Sequence, residues 1–475
     1  MNYIEQIITL FKNKVLTAGG AQKSIYELIE QGNISAVIDM MQDHDDEVDN
    51  ALREYNPELH DVMRRPNKWR KKQKPYISEK LPRSRQDYIN EVELFFLLGN
   101  PIIWKKVEGD DEAYSFFTEF LDQQYFHDNL CEAKRLAGAE TECAKLYHIT
   151  RPTDGEKPLV KSVILARSKG YKLRPLFDQY GNLQAFAYGY TLKENGKNVQ
   201  HWDIETPEFL FFCHKSLIGW EIETYPNPTG KINIIYYRQR KAWHGVQQRI
   251  NREEMLDSKT ADNNNYFSDP MAAATADVIQ NLKSPETIGG LIQLTGSGSK
   301  FEYINPPQSS ESREAEKKNL ADSILFDTYT PDLSYENLKG LGSISGVAIK
   351  NAMTIGYIKR KKNIGLYKQL VRRDLSLMLE ILAFLHPEKA EVIRALKIDF
   401  EFAEPFDSDN GEQQRLIADL YQKGVVSLEE AVHQVAICDD PDAEIRRLQE
   451  AEKVKQKQAA AQQDTEAQQS NDVAP

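Results

Sequence analysis

The sequence predicts an α+β chain, and three features carry that reading. Short runs rich in Val, Ile, Phe and Tyr, separated by turn residues, fill about Leu159 to Tyr237 and read as an antiparallel meander. Helical periodicity fills both flanks, and the longest helical pattern runs from Ser345 to about Leu385. A hydrophobic fraction of 40% against 28% charged residues, in a chain of 475, suits a protein that buries sizeable cores and excludes long disorder away from the ends.

In chain order, the first 60 residues read as helices with loops, Ile4, Ile7, Ile8 and Phe11 sharing one helical face. An acidic patch from Asp43 to Asp49 precedes the densest basic run in the chain. That run, Arg64 to Lys74, sets seven positive charges (Arg64, Arg65, Lys68, Arg70, Lys71, Lys72 and Lys74) around Trp69. Ser84 can cap a helix from Arg85 to about Leu98, ended by Gly99-Asn100-Pro101. Strand pieces in the meander are Ser162 to Ala166, Leu173 to Phe177, Gln184 to Tyr190 and Ile232 to Tyr237. Turns fall at Tyr180-Gly181-Asn182, Glu194-Asn195-Gly196 and Asn227 to Gly230.

Helical pattern returns at Trp243, with Val246, Ile250 and Leu256 on one face. Residues Tyr266 to Pro307 form a small αβ insert, whose part from Gly289 onward reads as two strands about a turn at Gly296 to Ser299. Ser309 or Ser310 then caps a helix to about Asp327, with Glu311 and Glu314 beside the positive end of its dipole. A Pro/Gly/Ser-containing loop, Thr330 to Ile344, leads into the long helix. Gly356 and Gly365 are placed to permit kinks in it, and His386-Pro387 closes it. A strand at Ile398 to Phe402 and three short helices follow, the second opening on the capping box Ser427-Leu428-Glu429-Glu430. The tail from about Gln456 is rich in Gln and Ala and reads as disordered.

Charge and composition exclude several classes. With 60 Lys+Arg against 72 Asp+Glu, a net charge of -12, the chain does not suit gripping nucleic acid over its whole surface; a local basic stripe stays open. No stretch reaches the ~20 apolar residues of a membrane span, since Leu375 to Leu385 is interrupted by Ser376 and Glu380. The start of the chain has Glu5 where a signal peptide is basic, and too short an apolar run, Ile7 to Phe11, for secretion. Cys131, Cys143, Cys213 and Cys438 lie far apart, which suggests a reducing compartment rather than a disulfide framework or a zinc knuckle.

Catalytic signatures fail one by one. Gly296-Ser297-Gly298-Ser299-Lys300 lacks the spacing and the following hydroxyl of a phosphate loop, and Gly340 to Gly346 has neither dinucleotide spacing nor a nucleophile elbow. The nine histidines include no H-E-x-x-H, and adjacent Cys213 and His214 in a strand point to opposite faces. No carboxylate cluster stands out, so no catalytic residue, cofactor or metal is expected. The basic run either holds phosphate or an acidic partner, with Trp69 stacking, or is a solvated loop balancing the acidic patch before it. Lys359-Arg360-Lys361-Lys362, with Lys368, Arg372 and Arg373, reads as a solvated face or subunit contact.

The order of elements, helix, small αβ insert, helix, loop, very long helix, resembles the portal proteins (head-to-tail connectors) of tailed double-stranded DNA bacteriophages. WHGVQQRINREEMLDSKTADNNNYFSDP, Trp243 to Pro270, is similar to the family's first stem helix and its polar exit. SGVAIK, Ser345 to Lys350, is similar to the stretch that opens the family's long wing helix, with Ser345, Gly346 and Lys350 as its marks. FFLLGNPI at Phe95 to Ile102 and DDPDAEIRRLQE at Asp439 to Glu450 add to the likeness, which spans about residues 80 to 450.

The resemblance implies a portal fold with an α/β wing, two-helix stem, small αβ clip, long kinked wing helix and helical crown, assembled as a ring. Its segments would be an N-terminal part and wing over 1–240, stem helices over 241–266 and 308–329, and a clip over 267–307. A tunnel loop over 330–344, the long helix and return strand over 345–400, a crown over 401–460 and a disordered tail over 461–475 would complete it. Double-stranded DNA would pass through a ring of twelve copies without sequence preference. Asp332, Glu336, Lys339 and Ser343 in the tunnel loop would lie nearest to it, Lys339 steering phosphate and the two acids repelling it. The loop is expected to be dispensable for ring assembly and needed for packaging. A head-to-tail ring interface could also bury apolar residues that the long helix shows, among them Val347, Met353, Ile358, Leu370 and Leu375. Implied partners are the large terminase subunit, a head-completion adaptor, and the major capsid and scaffolding proteins, with no membrane. The implied location is a capsid vertex of the virion, and the host cytoplasm during assembly. Two other classes stay open: a nucleic-acid-processing enzyme with unassigned metal-binding carboxylates, and a structural adaptor without a channel.

Overall fold

The computed structural model describes residues 24–67, 77–150, 158–194, 196–268, 272–275, 278–280, 293–295, 300–303, 310–334, 339, 353–406, 410–435, 444–448 and 450. The chain divides into two compact units. One comprises Met1–Asp332 with Ile355–Ala403, the other Leu333–Thr354 with Glu404–Pro475.

The larger unit is layered. Its middle is a three-stranded antiparallel sheet in the order β3-β2-β9, with β2 at Glu142–Ile149, β3 at Val160–Leu165 and β9 at Ile234–Arg238. Strand β2 is covered on both faces, so its residues alternate between two cores. Cys143 and Tyr147 face the core of α4 (Arg85–Leu98), α5 (Asp111–Gln123), α6 (Phe126–Glu140) and the long α9 (Thr354–Leu385). Ala144 and Leu146 face the other way, onto Phe186 and Tyr188. Those two belong to a five-stranded meander of β4 (Lys172–Phe177), β5 (Leu183–Glu194), β6 (Lys197–Glu205), β7 (Phe209–Lys215) and β8 (Trp220–Pro226). The far face of the meander, Ala185, Ala187, Trp202, Ile204 and Phe211, is closed by α1 (Ile25–Glu30) and α2 (Ile34–Met40).

The predicted meander is therefore present, with Gly181, Gly196 and Gly230 at positive φ in its three turns. Its ends belong elsewhere: Ser162 to Ala166 and Ile232 to Tyr237 pair with β2 instead, in a second sheet. The helix at Arg85 to Leu98 and its end at Gly99 are as expected, although the Ser84 side chain makes no capping bond. The Ile398 to Phe402 strand is β14 (Lys397–Phe402), paired with β1 (Ile102–Glu108).

The two strands about Gly296 to Ser299 are present as β12 (Gln293–Thr295) and β13 (Lys300–Tyr303), which pair with β11 (Val278–Gln280) and β10 (Ala272–Thr275). Two expectations need correction. The acidic patch is balanced by arginines of the two sheets and of the turn between β3 and β4. Arg174 binds Asp43 and Asp45, Arg167 binds Asp49, and Arg238 binds Glu47, the last three acids lying on α3 (Asp45–Tyr55). Lys359 and Arg360 are not solvated but 4% and 8% exposed. Burial is possible because carbonyls meet them, Ile89 for Lys359, and Phe402 and Ala403 for Arg360.

Gly356 serves packing. A Cβ there would collide with the buried Phe96 ring, whereas nothing lies within 4 Å of one at Gly365. Of the predicted apolar stripe, Met353 and Leu375 are buried within this chain and Ile358 is 44% exposed; Val347 lies outside the described residues.

In the smaller unit, α11 (Asn410–Gln422) packs against α12 (Leu428–Val435). Gly424, at φ +69°, closes the first, and Ser427 Oγ accepts from Glu430 N at 3.2 Å to open the second, as the capping box predicts.

Candidate functional site

The polar helix α7 (Gln247–Ser268) and the helix α8 (Ser310–Asp327) run antiparallel, on either side of the insert. Arg249 pairs with Asp327 near one end, and Arg252 with Glu316 and Asp257 with Lys317 further along. α8 exposes Glu311, Glu314, Lys318 and Asp322, spaced three or four apart and so on one face, three acids to one base.

The buried side of α7 is unusual because it is polar. Glu253, Glu254, Asp257, Ser258 and Asp262 are all under 9% exposed. Buried polar groups need partners, and an extended strap, residues 77 to 85, supplies them. Arg83 N donates to Glu254 Oε1 at 2.9 Å, Leu81 N to Ser258 Oγ at 3.0 Å and Glu79 N to Asp262 Oδ1 at 2.9 Å. Alternate residues of an extended chain are about 6.6 Å apart, and every fourth residue of a helix about 6.0 Å. The two periods nearly match, so the strap lies along α7 as a strand lies along a sheet edge.

Charges follow the same line. Arg65 reaches Asp262 at 2.5 Å, Arg83 reaches Asp257 at 2.5 Å and Arg85 reaches Glu253 at 2.8 Å. Burial raises the Asp257 pKa, but the bonds from Arg83 and Lys317 outweigh it and hold the carboxyl below its usual range. His60 Nδ1 lies 2.7 Å from Glu254; burial lowers the His60 pKa, and the carboxylate more than restores it, so the imidazole is held above its ordinary value.

This arrangement locates the ends of the basic run. Arg65 is tied to α7, Arg64 is exposed, and Ser78 bonds back to Asn67 Oδ1 and the Pro66 carbonyl. Lys68, Trp69, Arg70, Lys71, Lys72 and Lys74 lie outside the described residues, but both flanks of that stretch stand beside the C-terminal half of α7. The signal for the strap was present as Glu254, Ser258 and Asp262 at every fourth position; it was missed because a polar helical face ordinarily meets water.

Past α8 the chain is anchored at the first residues of the predicted tunnel loop. Thr330 Oγ1 accepts from Lys359 Nζ at 3.2 Å, and the Pro331 carbonyl accepts from Tyr88 Oη at 2.8 Å. Burial pushes Lys359 down to about 8 despite Glu93. Burial alone would raise Glu93; the charges of Lys134 and Lys359 instead hold it low. Asp332 and Lys339 are exposed, in different units. Glu336, Ser343, Ser345, Gly346 and Lys350 lie outside the described residues.

Among the described residues no group of three His, Cys, Asp or Glu side chains could hold a metal, and no helix is long and apolar enough to cross a membrane. Two pairs escaped the sequence reading: His127 and Cys131 one helical turn apart with Nε2 3.5 Å from Sγ, and His201 opposite His214 on adjacent strands, ring centroids 6.0 Å apart and tilted by 33°. Burial pushes the Cys131 thiol up to about 11, the opposite of an activated nucleophile.

The family model "Phage portal protein, SPP1 Gp6-like" matches residues 35–463. The chain belongs to the phage portal protein family. Portal proteins are structural proteins rather than enzymes. Two solved structures resemble this portal protein, each at 10% identity. One, "Virion of native gene transfer agent (GTA) particle", has a TM-score of 0.39 and covers 74% of this chain and 89% of its own. The other, "Neck of native GTA particle computed with C12 symmetry", has a TM-score of 0.40 and covers 75% and 91%. Curated proteins gave no match.

Proposed function

We propose that this portal protein forms a ring, of twelve copies, at one capsid vertex, and that double-stranded DNA enters and leaves through its axis. The observation that carries the reading is the family match over residues 35–463. The proposed stem is 241–266 with 308–329, the clip 267–307, the tunnel loop 330–344, and the crown 401–460, with the wing, long helix and tail as set out above.

The exposed face of α8 supports sliding over gripping. If Glu311, Glu314 and Asp322 line the channel beside the lone Lys318, a ring repeats a net repulsion for phosphate along the stem. Asp332 and Glu336 add to it in the tunnel loop, where Lys339 steers and Ser343 supplies a neutral contact. Ser345, Gly346 and Lys350 would mark the approach to the long helix, as the family resemblance implies.

Clip and basic run are assigned to partners. The clip docks the large terminase subunit, then a head-completion adaptor. Arg64, Lys68, Trp69, Arg70, Lys71, Lys72 and Lys74 meet an acidic partner or phosphate near the stem, Arg65 being taken up by Asp262, and capsid and scaffolding proteins surround the wing during assembly in the host cytoplasm.

Electron microscopy of the purified chain tests the ring. Twelve copies of 54.5 kDa make a particle of about 654 kDa, expected in top view with a central hole wider than the ~20 Å of a DNA-sized polyanion. Particles without a pore would overturn the channel and favour a structural adaptor.

A further inference from the structure

The meander carries a feature that a DNA channel does not need. On the face opposite α1 and α2, a cavity of about 440 Å³ opens between β5, β6 and β7, beside the end of β2. The register places Tyr188, Asp203, Phe212 and Glu223 in one cross-strand row, and Tyr190, His201 and His214 in the next. Asp203 and Glu205 lie at the bottom, each 5% exposed.

Neither of these carboxyls has a Lys or Arg partner among the described residues. Asp203 Oδ2 accepts from Tyr190 Oη at 3.1 Å, and Tyr188 acts on the same carboxyl more loosely. Asp203 Oδ1, buried and lining the cavity, has no hydrogen bond of its own. Glu205 Oε2 accepts one bond, from Asn233 N at 3.0 Å. Two buried acids under tyrosine walls, with spare acceptor capacity, are unfavourable while empty. The histidines at the rim each stand beside a carboxylate, Glu194 at 3.1 Å from His201 and Glu221 at 3.0 Å from His214.

We propose that this cavity is a binding site for an organic cation, an alkylammonium or guanidinium group, held by Asp203 and Glu205 and walled by Tyr188 and Tyr190. Aromatic faces attract such a group and an ammonium or guanidinium brings several donors to the spare acceptors. A metal ion is disfavoured because no set of three ligands is assembled there. The volume suits a small ligand or one inserted side chain. Burial pushes Asp203 up to about 6 and Glu205 up to about 8, as it does for carboxyls that lack a counter-charge, so at neutral pH Asp203 supplies the negative charge and Glu205 is largely protonated until a cation binds.

Calorimetric titration with n-butylammonium and ethylguanidinium chloride, with n-butanol as the neutral control, tests the site on unassembled and assembled protein. Saturable binding of the cations but not of butanol is expected in the unassembled chain. Asp203→Asn should weaken it at least ~10-fold, the size of one lost charge-assisted contact. Tyr190→Leu, which strips the wall and keeps the acids, should weaken it too. Binding that persists after assembly assigns a free cation; binding that disappears assigns a Lys or Arg side chain of a second copy. No saturable binding by natively melting, unassembled chain, or binding unchanged in both variants, overturns the proposal.

Discussion

Asp262 accepts from both Arg65 and the backbone of Glu79, so one buried carboxylate joins both flanks of the basic run to the helix α7. Its side chain and that of Arg65 are 4% and 9% exposed. Asp262→Ala leaves a buried guanidinium and a buried N–H without their acceptor. The expected loss is about 3–5 kcal/mol, the range for breaking one side of a buried pair. Chemical denaturation measures it, and Asp262→Asn, which keeps the acceptor for Glu79, should lose less. Equal, small losses in both would mean that the strap does not depend on this residue.

The strap should also weaken with rising pH. His60 is held above its ordinary pKa beside Glu254, so it is protonated in the folded state over a range where the unfolded chain is not. That stabilisation is complete below the unfolded value of about 6.5 and is lost as pH rises through the higher folded value. The thermal midpoint of the native chain minus that of His60→Gln should shrink from pH 6 to pH 9. A difference that grows over that range contradicts the pairing.

Element types were legible where local pattern decides them. Arg85 to Leu98, the meander turns and the Ser427 cap all rest on contacts within a few residues. Sheet membership was not, because β3 and β9 are held by β2 at Glu142–Ile149, a strand buried on both faces and so without alternation to announce it. The site shows the same division. Polar α7 reads as solvated from its own residues, and only the arrival of residues 77 to 85 turns that face inward; Lys359 looks exposed until the Ile89 carbonyl and Thr330 meet it.

Gly356 and Phe96 offer a packing test. The Phe96 ring lies where a Cβ on residue 356 would stand, and it is fully buried. Gly356→Ala should cost about 1–3 kcal/mol, as overpacking does. Adding Phe96→Leu should recover part of that loss, so the double-mutant cycle should give a coupling above about 0.5 kcal/mol. Additive effects would show that the helix shifts freely at this point.

Asp374, on the long helix, accepts from Lys145 and Tyr147, which share one face of β2. The lysine and the acid are 1% and 0% exposed. Asp374→Ala should cost about 3–5 kcal/mol near neutral pH. Burial already lowers the Lys145 pKa, and Asp374 opposes that effect. Without the acid, the buried lysine sheds its proton earlier than the unfolded chain does. The variant's stability should therefore rise with pH toward about 10.4, the free lysine value. Denaturant midpoints between pH 7 and 10 measure the slope, and a falling slope would contradict the pairing.

The tunnel-loop assignment separates assembly from transport. Thr330 and Pro331 are bound by Lys359 and Tyr88, so a change that spares them leaves the anchor of the segment in place. Replacing residues 333–344 by a Gly/Ser linker of equal length should leave rings intact, because the larger unit, which holds the two sheets and the α7–α8 pair, does not include that stretch. It removes Glu336, Lys339 and Ser343 together, the groups proposed to pass the DNA along. Packaging of DNA into capsids assembled with this variant should fall to background while ring counts by electron microscopy stay unchanged. Normal packaging would show that the loop neither steers nor retains the DNA, and loss of rings would move 333–344 from the channel into the assembly contact.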